Sequence, residues 1–278
     1  MTVNKHTAPI MRISRHRLSI DGRGVTTLVG LHGCPLDCHY CLNNKCHTPD
    51  GIWQHMTAQE LYNKVCIDDI YFRSTGGGIT FGGGEPALHS AFIEEFARLN
   101  TLKWNITLET SLNIPLHNLE LLSHVVDDYI IDIKSLNPNI YRLYTGKDIN
   151  VVLSNLQYLI DINKGAHIIV RTPLIPGYNT EQDVKESTAK LRKMGIEHFD
   201  AFTYRTSIAH NKFLDGKSGK SICNVLKKIR SIIAEANNIP YTPASCSHDT
   251  CSSGNCPMCE SELAWLTKEI QSHQKAIL

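Results

Sequence analysis

Short β-rich apolar runs alternate with amphipathic stretches along most of the chain, the pattern of parallel strands joined by crossover helices. Strands are predicted near Thr26–His32, Gly78–Phe81, Asn105–Glu109, Tyr129–Ile133, His167–Thr172 and His198–Phe202. Between them the 3.6-residue period predicts helices over Thr57–Phe72, with Thr57 as N-cap, Ser90–Leu99, Ile114–Ser123, Val151–Ile162, Glu181–Met194 and Ser221–Ala236. Six β/α repeats are too few to close an eight-stranded barrel. They predict an α/β fold of the partial (β/α)6 TIM type, whose chemistry belongs at the C-terminal strand ends. After Asn238-Ile239-Pro240 the pattern changes to a cysteine-rich stretch, Ser245 to Cys259, followed by an amphipathic helix from about Ser261 to Ser272. Two units are therefore expected: residues 1–240 as the barrel, and 241–278 as a small cysteine-rich, metal-binding extension with a C-terminal helix.

Composition narrows the class. A chain of 278 residues with 42% hydrophobic content can bury a sizeable core. Its net charge is +1, with acids and bases interspersed, so no basic stripe points to a nucleic-acid partner. The first ten residues do not resemble a signal peptide, and no later stretch is long and apolar enough to cross a membrane. The expectation is a cytoplasmic protein with no membrane partner. In that reducing compartment ten cysteines read as metal ligands rather than disulfides. Seven fall in two groups: Cys34, Cys38 and Cys41, then Cys246, Cys251, Cys256 and Cys259. Cys46, Cys66 and Cys223 are left over, with a buried or partly exposed thiol as the default reading. The fourteen histidines show no metal-binding spacing beyond His39, His47 and His248 near the cysteines.

Cys34, Cys38 and Cys41 follow the first predicted strand, in a loop where Gly33 and Pro35 favour a turn. Three thiolates in one short loop suit one face of an iron–sulfur cube, leaving a fourth iron without a protein ligand. A zinc knuckle or a structural thiol cluster would use the same residues, and Cys46 offers a fourth ligand for a closed cluster. Zinc, however, usually draws its ligands in pairs from two segments. Gly82-Gly83-Gly84-Glu85-Pro86 follows a strand and precedes a helix, so its glycines can expose backbone groups to a zwitterion, or can simply turn the chain.

Together these segments resemble the radical S-adenosylmethionine (SAM) superfamily. The resemblance extends in order through Ser19-Ile20-Asp21-Gly22-Arg23-Gly24-Val25, Gly76 to Pro86, Glu109-Thr110-Ser111, Asp132-Ile133-Lys134, Tyr144-Thr145-Gly146 and Val170-Arg171 to Asn179. That longer pattern is similar to the glycyl radical enzyme activating enzymes, such as pyruvate formate-lyase activase. The resemblance implies a [4Fe-4S] cluster on Cys34, Cys38 and Cys41 whose open iron chelates the amino acid end of SAM. It implies a radical oxidoreductase that cleaves SAM to a 5′-deoxyadenosyl radical. Gly83, Gly84 and Glu85 would hold the methionine amino group, Tyr40 would lie near the adenine, and Thr110 and Ser111 would belong to a cofactor-side strand end. Asp132 and Lys134 alternate onto one face of a strand, where they would orient SAM or a cation, and Arg171 can grip the methionine carboxylate bidentately. Without the resemblance, each of these charges could equally be a solvated strand end.

Three features depart from that family pattern. Arg23 stands where activases have proline, and Thr203-Tyr204-Arg205 where they commonly have Pro-Tyr-His. The Cys246-x4-Cys251-x4-Cys256-x2-Cys259 tail has no counterpart in simple activases; its four thiolates suit an auxiliary [4Fe-4S] cluster or tetrahedral zinc, with His248 spare. The expected substrate is a glycine of a partner glycyl radical enzyme, with a peptide or small metabolite as the alternative and a flavodoxin- or ferredoxin-type protein as electron donor. A non-catalytic iron–sulfur electron carrier is the third class. It predicts a cluster indifferent to SAM.

Overall fold

The computed structural model describes residues 7–162, 164–204, 219–245 and 253–275. Among them, eight strands form one open sheet: β1 (Thr7–Leu18), β2 (Val25–Leu31), β3 (Gln54–Thr57), β4 (Gly78–Gly83), β5 (Asn105–Thr110), β6 (Asp128–Asp132), β7 (Ile168–Arg171) and β8 (His198–Asp200). The order is β3-β1-β2-β4-β5-β6-β7-β8. From β2 onward in that order every pairing is parallel. These are the six strands the periodicity predicts, and the architecture is the α/β partial barrel. The helices are α1 (Ala58–Val65), α2 (Asp69–Thr75), α3 (Ser90–Leu99), α4 (Leu116–Ser123), α5 (Pro138–Thr145), α6 (Asn150–Asp161), α7 (Glu181–Lys193), α8 (Gly219–Ala236) and α9 (Pro257–Lys275).

The main core lies between the outer face of the sheet and the crossover helices, where Val29, Ile106, Leu108 and Val170 meet Phe92, Phe96, Leu119 and Leu191. A second, smaller core joins α2, α8 and α9 over the start of β2, through Val25, Tyr71, Leu226, Leu263 and Leu266. Arg230 is fully buried beside it, donating to the Tyr241 hydroxyl at 2.9 Å and to Glu262 at 2.6 Å.

Two elements correct the sequence reading. β1 and β3 add an antiparallel edge that the alternation did not reveal, because β1 carries a bulge between Ser14 and Arg17. The predicted Thr57–Phe72 helix starts where expected, with Thr57 and Glu60 closing a capping box, but a 3-10 turn over Cys66–Asp68 divides it into α1 and α2.

Both irregularities serve one contact. At the bulge His16 takes φ +59, and consecutive residues Arg15 and His16 both reach the Asp68 carboxylate. Arg15 donates two bonds at 2.8 Å, and His16 Nε2 lies at 3.0 Å. The other His16 ring nitrogen faces the Ser253 carbonyl at 2.8 Å, and Arg15 also holds Glu260 at 2.5 Å. Both imidazole nitrogens are thus engaged by oxygen atoms. This network ties the segment leading into α9 to the sheet.

Burial alone would raise the Asp68 carboxyl, but hydrogen bonds from Arg15 and His16 outweigh it and hold the group below its ordinary value of 3.8. Its contribution to stability is thus present above that value and is lost as pH falls through the lowered one. Asp68→Asn should destabilise the metal-free chain at neutral pH by about 3–5 kcal/mol in urea unfolding, since the Arg15 guanidinium loses its buried counter-charge. The variant should also lack this acid-side loss of stability.

Candidate active site

The cysteine loop leaves the end of β2 and is fixed by main-chain bonds to two other parts of the fold. Gly84 N–H donates to Leu31 O at 2.8 Å and Glu85 N–H to Gly33 O at 2.7 Å, joining the loop to the end of β4. Asp37 and His39 donate from the loop to the last carbonyls of α5, Thr145 and Tyr144, at 2.9 and 3.2 Å. Helix α5 escaped the sequence reading although its signals are plain: Asn137 caps it, Pro138 opens it and Gly146 ends it at φ +71. The Tyr144-Thr145-Gly146 motif is therefore a helix C-terminus that receives the loop.

Cys34, Cys38 and Cys41 face a cavity of ≈ 200 Å³ together with Cys46, Gly83, Gly84, Glu85, Thr110, Ser111, Asp132, Lys134 and Arg171. Burial pushes the Cys38 thiol up to about 11, with the Lys134 ammonium opposing it, and drives Cys34 higher still. A metal must therefore displace protons to bind here. Cys46 is buried beneath the loop with its thiol against Cys41, and burial raises it to about 11.

The glycines are required by space. Gly83 sits at φ +97, where a Cβ would stand 2.8 Å from Gly30 Cα, and a Cβ on Gly84 would stand 2.3 Å from Gly33 O. Glu85 turns away from solvent into the gap between β4 and β5. Its carboxylate accepts from Thr110 Oγ1 at 2.7 Å, Ser111 N at 2.9 Å, Ser111 Oγ at 2.6 Å and Ala87 N at 3.3 Å. Glu85, Thr110 and Ser111 thus lie on the cavity wall with their polar groups engaged with one another. Glu85 acts as a strut.

Charged residues occupy one level across the next strand ends. Arg171, the last residue of β7, is ion-paired with Glu109 of β5, and its Nε lies 3.5 Å from Asp200 at the end of β8. Asp132 stands beside Arg171 in register, and its Oδ2 meets Lys134 Nζ at 3.2 Å. Burial lowers the Lys134 ammonium, but Asp132 and the nearby Cys38 raise it above its usual value overall. The other Asp132 oxygen, Oδ1, is buried and has no hydrogen-bond partner among the described residues. Such an orphan acceptor in a cavity wall awaits a donor from a ligand.

Tyr40 belongs to an aromatic cluster beside the cavity, stacked on Tyr204 with ring centroids 6.5 Å apart and edge-on to Tyr178 at 5.6 Å. Tyr204 and Phe202 line the cavity themselves, which sequence reasoning missed. The Thr203-Tyr204-Arg205 departure had flagged the position, but not that Lys134 Nζ stands 5.6 Å over the Tyr204 ring. Arg205, Cys246, His248 and Cys251 lie outside the described residues. Cys256 and Cys259 do not line this cavity; they lie at the start of α9.

The donor set fits an iron–sulfur cluster with an amino acid ligand. Three thiols in one loop face the space, a glycine wall allows close backbone approach, an unpaired carboxylate oxygen suits an ammonium, and a guanidinium suits a carboxylate. Glu85→Gln should weaken the metal-free chain by about 1–3 kcal/mol for each donor left unpaired, because one amide oxygen cannot replace two carboxylate oxygens. Urea unfolding measures the loss, and reconstituted iron content should fall with it.

Residues 28–191 match the Radical SAM superfamily. The pyruvate formate-lyase 2-activating enzyme of Escherichia coli (strain K12) is 28% identical over 207 residues, 63% of this chain and 70% of that protein. The pyruvate formate-lyase-activating enzyme of Staphylococcus aureus (strain USA300) is 31% identical over 179 residues, 59% of this chain and 68% of that protein. Among solved structures, Streptococcus suis SuiB bound to S-adenosylmethionine aligns with a TM-score of 0.51 at 12% identity. The alignment covers 77% of this chain and about half, 49%, of SuiB, and it speaks for the fold alone. The chain belongs to the radical SAM superfamily and is homologous, within it, to the glycyl radical enzyme activating enzymes.

Proposed function

We propose that this protein activates a partner glycyl radical enzyme by removing a hydrogen atom from a backbone glycine. The observation that carries the reading is the convergence of three loop thiols, the Gly83-Gly84 wall, the orphan Asp132 oxygen and Arg171 on a single cavity. Homology to activating enzymes over much of the barrel supports this choice of substrate class.

Cys34, Cys38 and Cys41 would hold a [4Fe-4S] cluster, leaving one iron for the methionine end of SAM. When bound, the cluster and SAM supply one-electron cleavage to methionine and a 5′-deoxyadenosyl radical. Backbone groups of Gly83 and Gly84 and the Asp132 carboxylate orient the ammonium, with Lys134 locking the Asp132 rotamer. Arg171 reaches Asp200 and the Ile20 carbonyl only at 3.5 Å, so those N–H groups can turn to a carboxylate while another holds Glu109. Tyr40 and Tyr204 flank the place for the adenine. Phe202 and the tyrosines keep water from a reactive centre.

A wider cavity of ≈ 760 Å³ runs along the inner face of the sheet and shares Arg171 with the first; Gly22, Arg23, Ile169 and His198 line it. That space supports entry of a polypeptide loop. A flavodoxin- or ferredoxin-type protein would deliver the electron.

Anaerobically reconstituted, reduced protein should form 5′-deoxyadenosine from SAM, and Cys38→Ala should abolish it. Cys46→Ser should leave it intact. Asp132→Asn should raise the SAM concentration needed by about 10- to 150-fold, the worth of one charge-assisted hydrogen bond. Mixing with the partner enzyme should produce a glycyl radical signal in electron paramagnetic resonance. Product without that signal would point to a peptide or small-molecule substrate, and no product would refute the enzymatic reading.

A further inference from the structure

The cysteine left over in the sequence at position 223 lies against the tail. It sits on the buried face of α8, and its sulfur is 3.7 Å from that of Cys259 in the first turn of α9. Cys256 stands three residues before Cys259 at the start of α9, near enough for the thiol and backbone of one to bear on the other. Gly254, at φ +85, is wedged one helical turn along α8 from Cys223: a Cβ there would stand 2.4 Å from Leu226 and 3.1 Å from His16. The turn before Cys256 therefore has one place to sit.

We propose that Cys223, Cys256 and Cys259 are ligands of one mononuclear tetrahedral zinc ion that fastens α9 to α8. Two thiolates on one tetrahedral zinc, each about 2.3 Å from the metal, stand about 3.8 Å apart. The Cys223–Cys259 separation matches that edge. Thiolates on separate irons of a cube stand several ångströms further apart. A Cys-x2-Cys pair opening a helix, opposed by a cysteine from a second segment, is also the arrangement zinc favours. In the metal-free chain the same separation is a weak thiol hydrogen bond. Among the described residues no three ligating side chains already stand close enough together to hold a metal ion, so Cys256, the most exposed of the three, must rotate inward as zinc replaces the thiol protons. A further ligand fills the fourth position.

Location supports a structural ion. The tail packs against His16 and Asp68 beside the first residues of β2, whereas the cysteine loop follows its last. The seven residues of β2 place about 20 Å between the two groups. A metal there does not touch a ligand in the barrel mouth.

The test uses the full chain carrying Cys34→Ala, Cys38→Ala and Cys41→Ala, so that only the second group can bind metal and the outcome is independent of SAM chemistry. This chain should hold one zinc and show no cluster absorbance. Adding Cys223→Ser should weaken zinc binding by more than the roughly 10- to 100-fold expected for loss of a supporting contact. It should also reduce the thiolate-to-metal charge-transfer band of the cobalt-substituted protein, while Cys66→Ser changes neither. Should the Cys223 variant fail to fold, alkylation of the wild-type chain decides: Cys223 and Cys259 should react only after a chelator removes zinc. Cluster absorbance with about four irons in the triple variant, unchanged zinc affinity in Cys223→Ser, equal alkylation before and after chelation, or a Cys223–Cys259 disulfide would each overturn the proposal.

Discussion

The site depends on the direct backbone contact between the ends of β2 and β4. Gly84 and Glu85 donate their N–H groups to Leu31 and Gly33, and no side chain fits at Gly83 or Gly84 without striking the opposite chain. The contact fixes where the cysteine loop begins. It also aims the Glu85 side chain at the end of β5, where Thr110 and Ser111 saturate its carboxylate. One approach of two strands thus sets the thiols, the glycine wall and the level of the next strand. The α5 terminus holds the far side of the loop, so the cysteines are anchored from both directions.

Beyond Glu85 the strand ends carry charge at a level where a stable sheet would carry apolar residues. Glu109, Asp132, Lys134 and Arg171 are largely withdrawn from water, and burying such pairs gains little stability over hydrophobic packing. Their value lies in the field they create. Burial pushes the Glu109 carboxyl up while Arg171 pulls it down, and Lys134 lowers the Cys38 thiol against its own desolvation. A group of buried, mutually perturbing charges with one unpaired oxygen is the arrangement of a binding site rather than a fold-stabilising network.

Much of this was legible in the sequence because local rules determine it. The six parallel strands follow from apolar periodicity, and both the Thr57 cap and the glycine wall follow from residue type. The alternation of Asp132 and Lys134 also put both side chains in one wall of the cavity. What escaped was set by distant partners. The β1 bulge and the break before α2 exist to bring Arg15 and His16 to Asp68, fifty-three and fifty-two residues apart in sequence. Spacing grouped the tail cysteines with one another, whereas packing of α8 on α9 brings in Cys223 from thirty-six residues away. The motif comparison flagged the position of Tyr204, but not that the segment just after β8 would bring its ring into the cavity wall under Lys134.

The central claim is an iron in the loop cluster that no protein side chain occupies and that SAM can reach. The most direct measurement is the electron paramagnetic resonance spectrum of the reduced cluster with and without SAM, in the wild-type chain and in Cys46→Ser. The account predicts the same SAM-induced change in both proteins. A wild-type spectrum indifferent to SAM, with a response appearing only once Cys46 is replaced, would mean that the fourth iron is closed by that thiol and would contradict it.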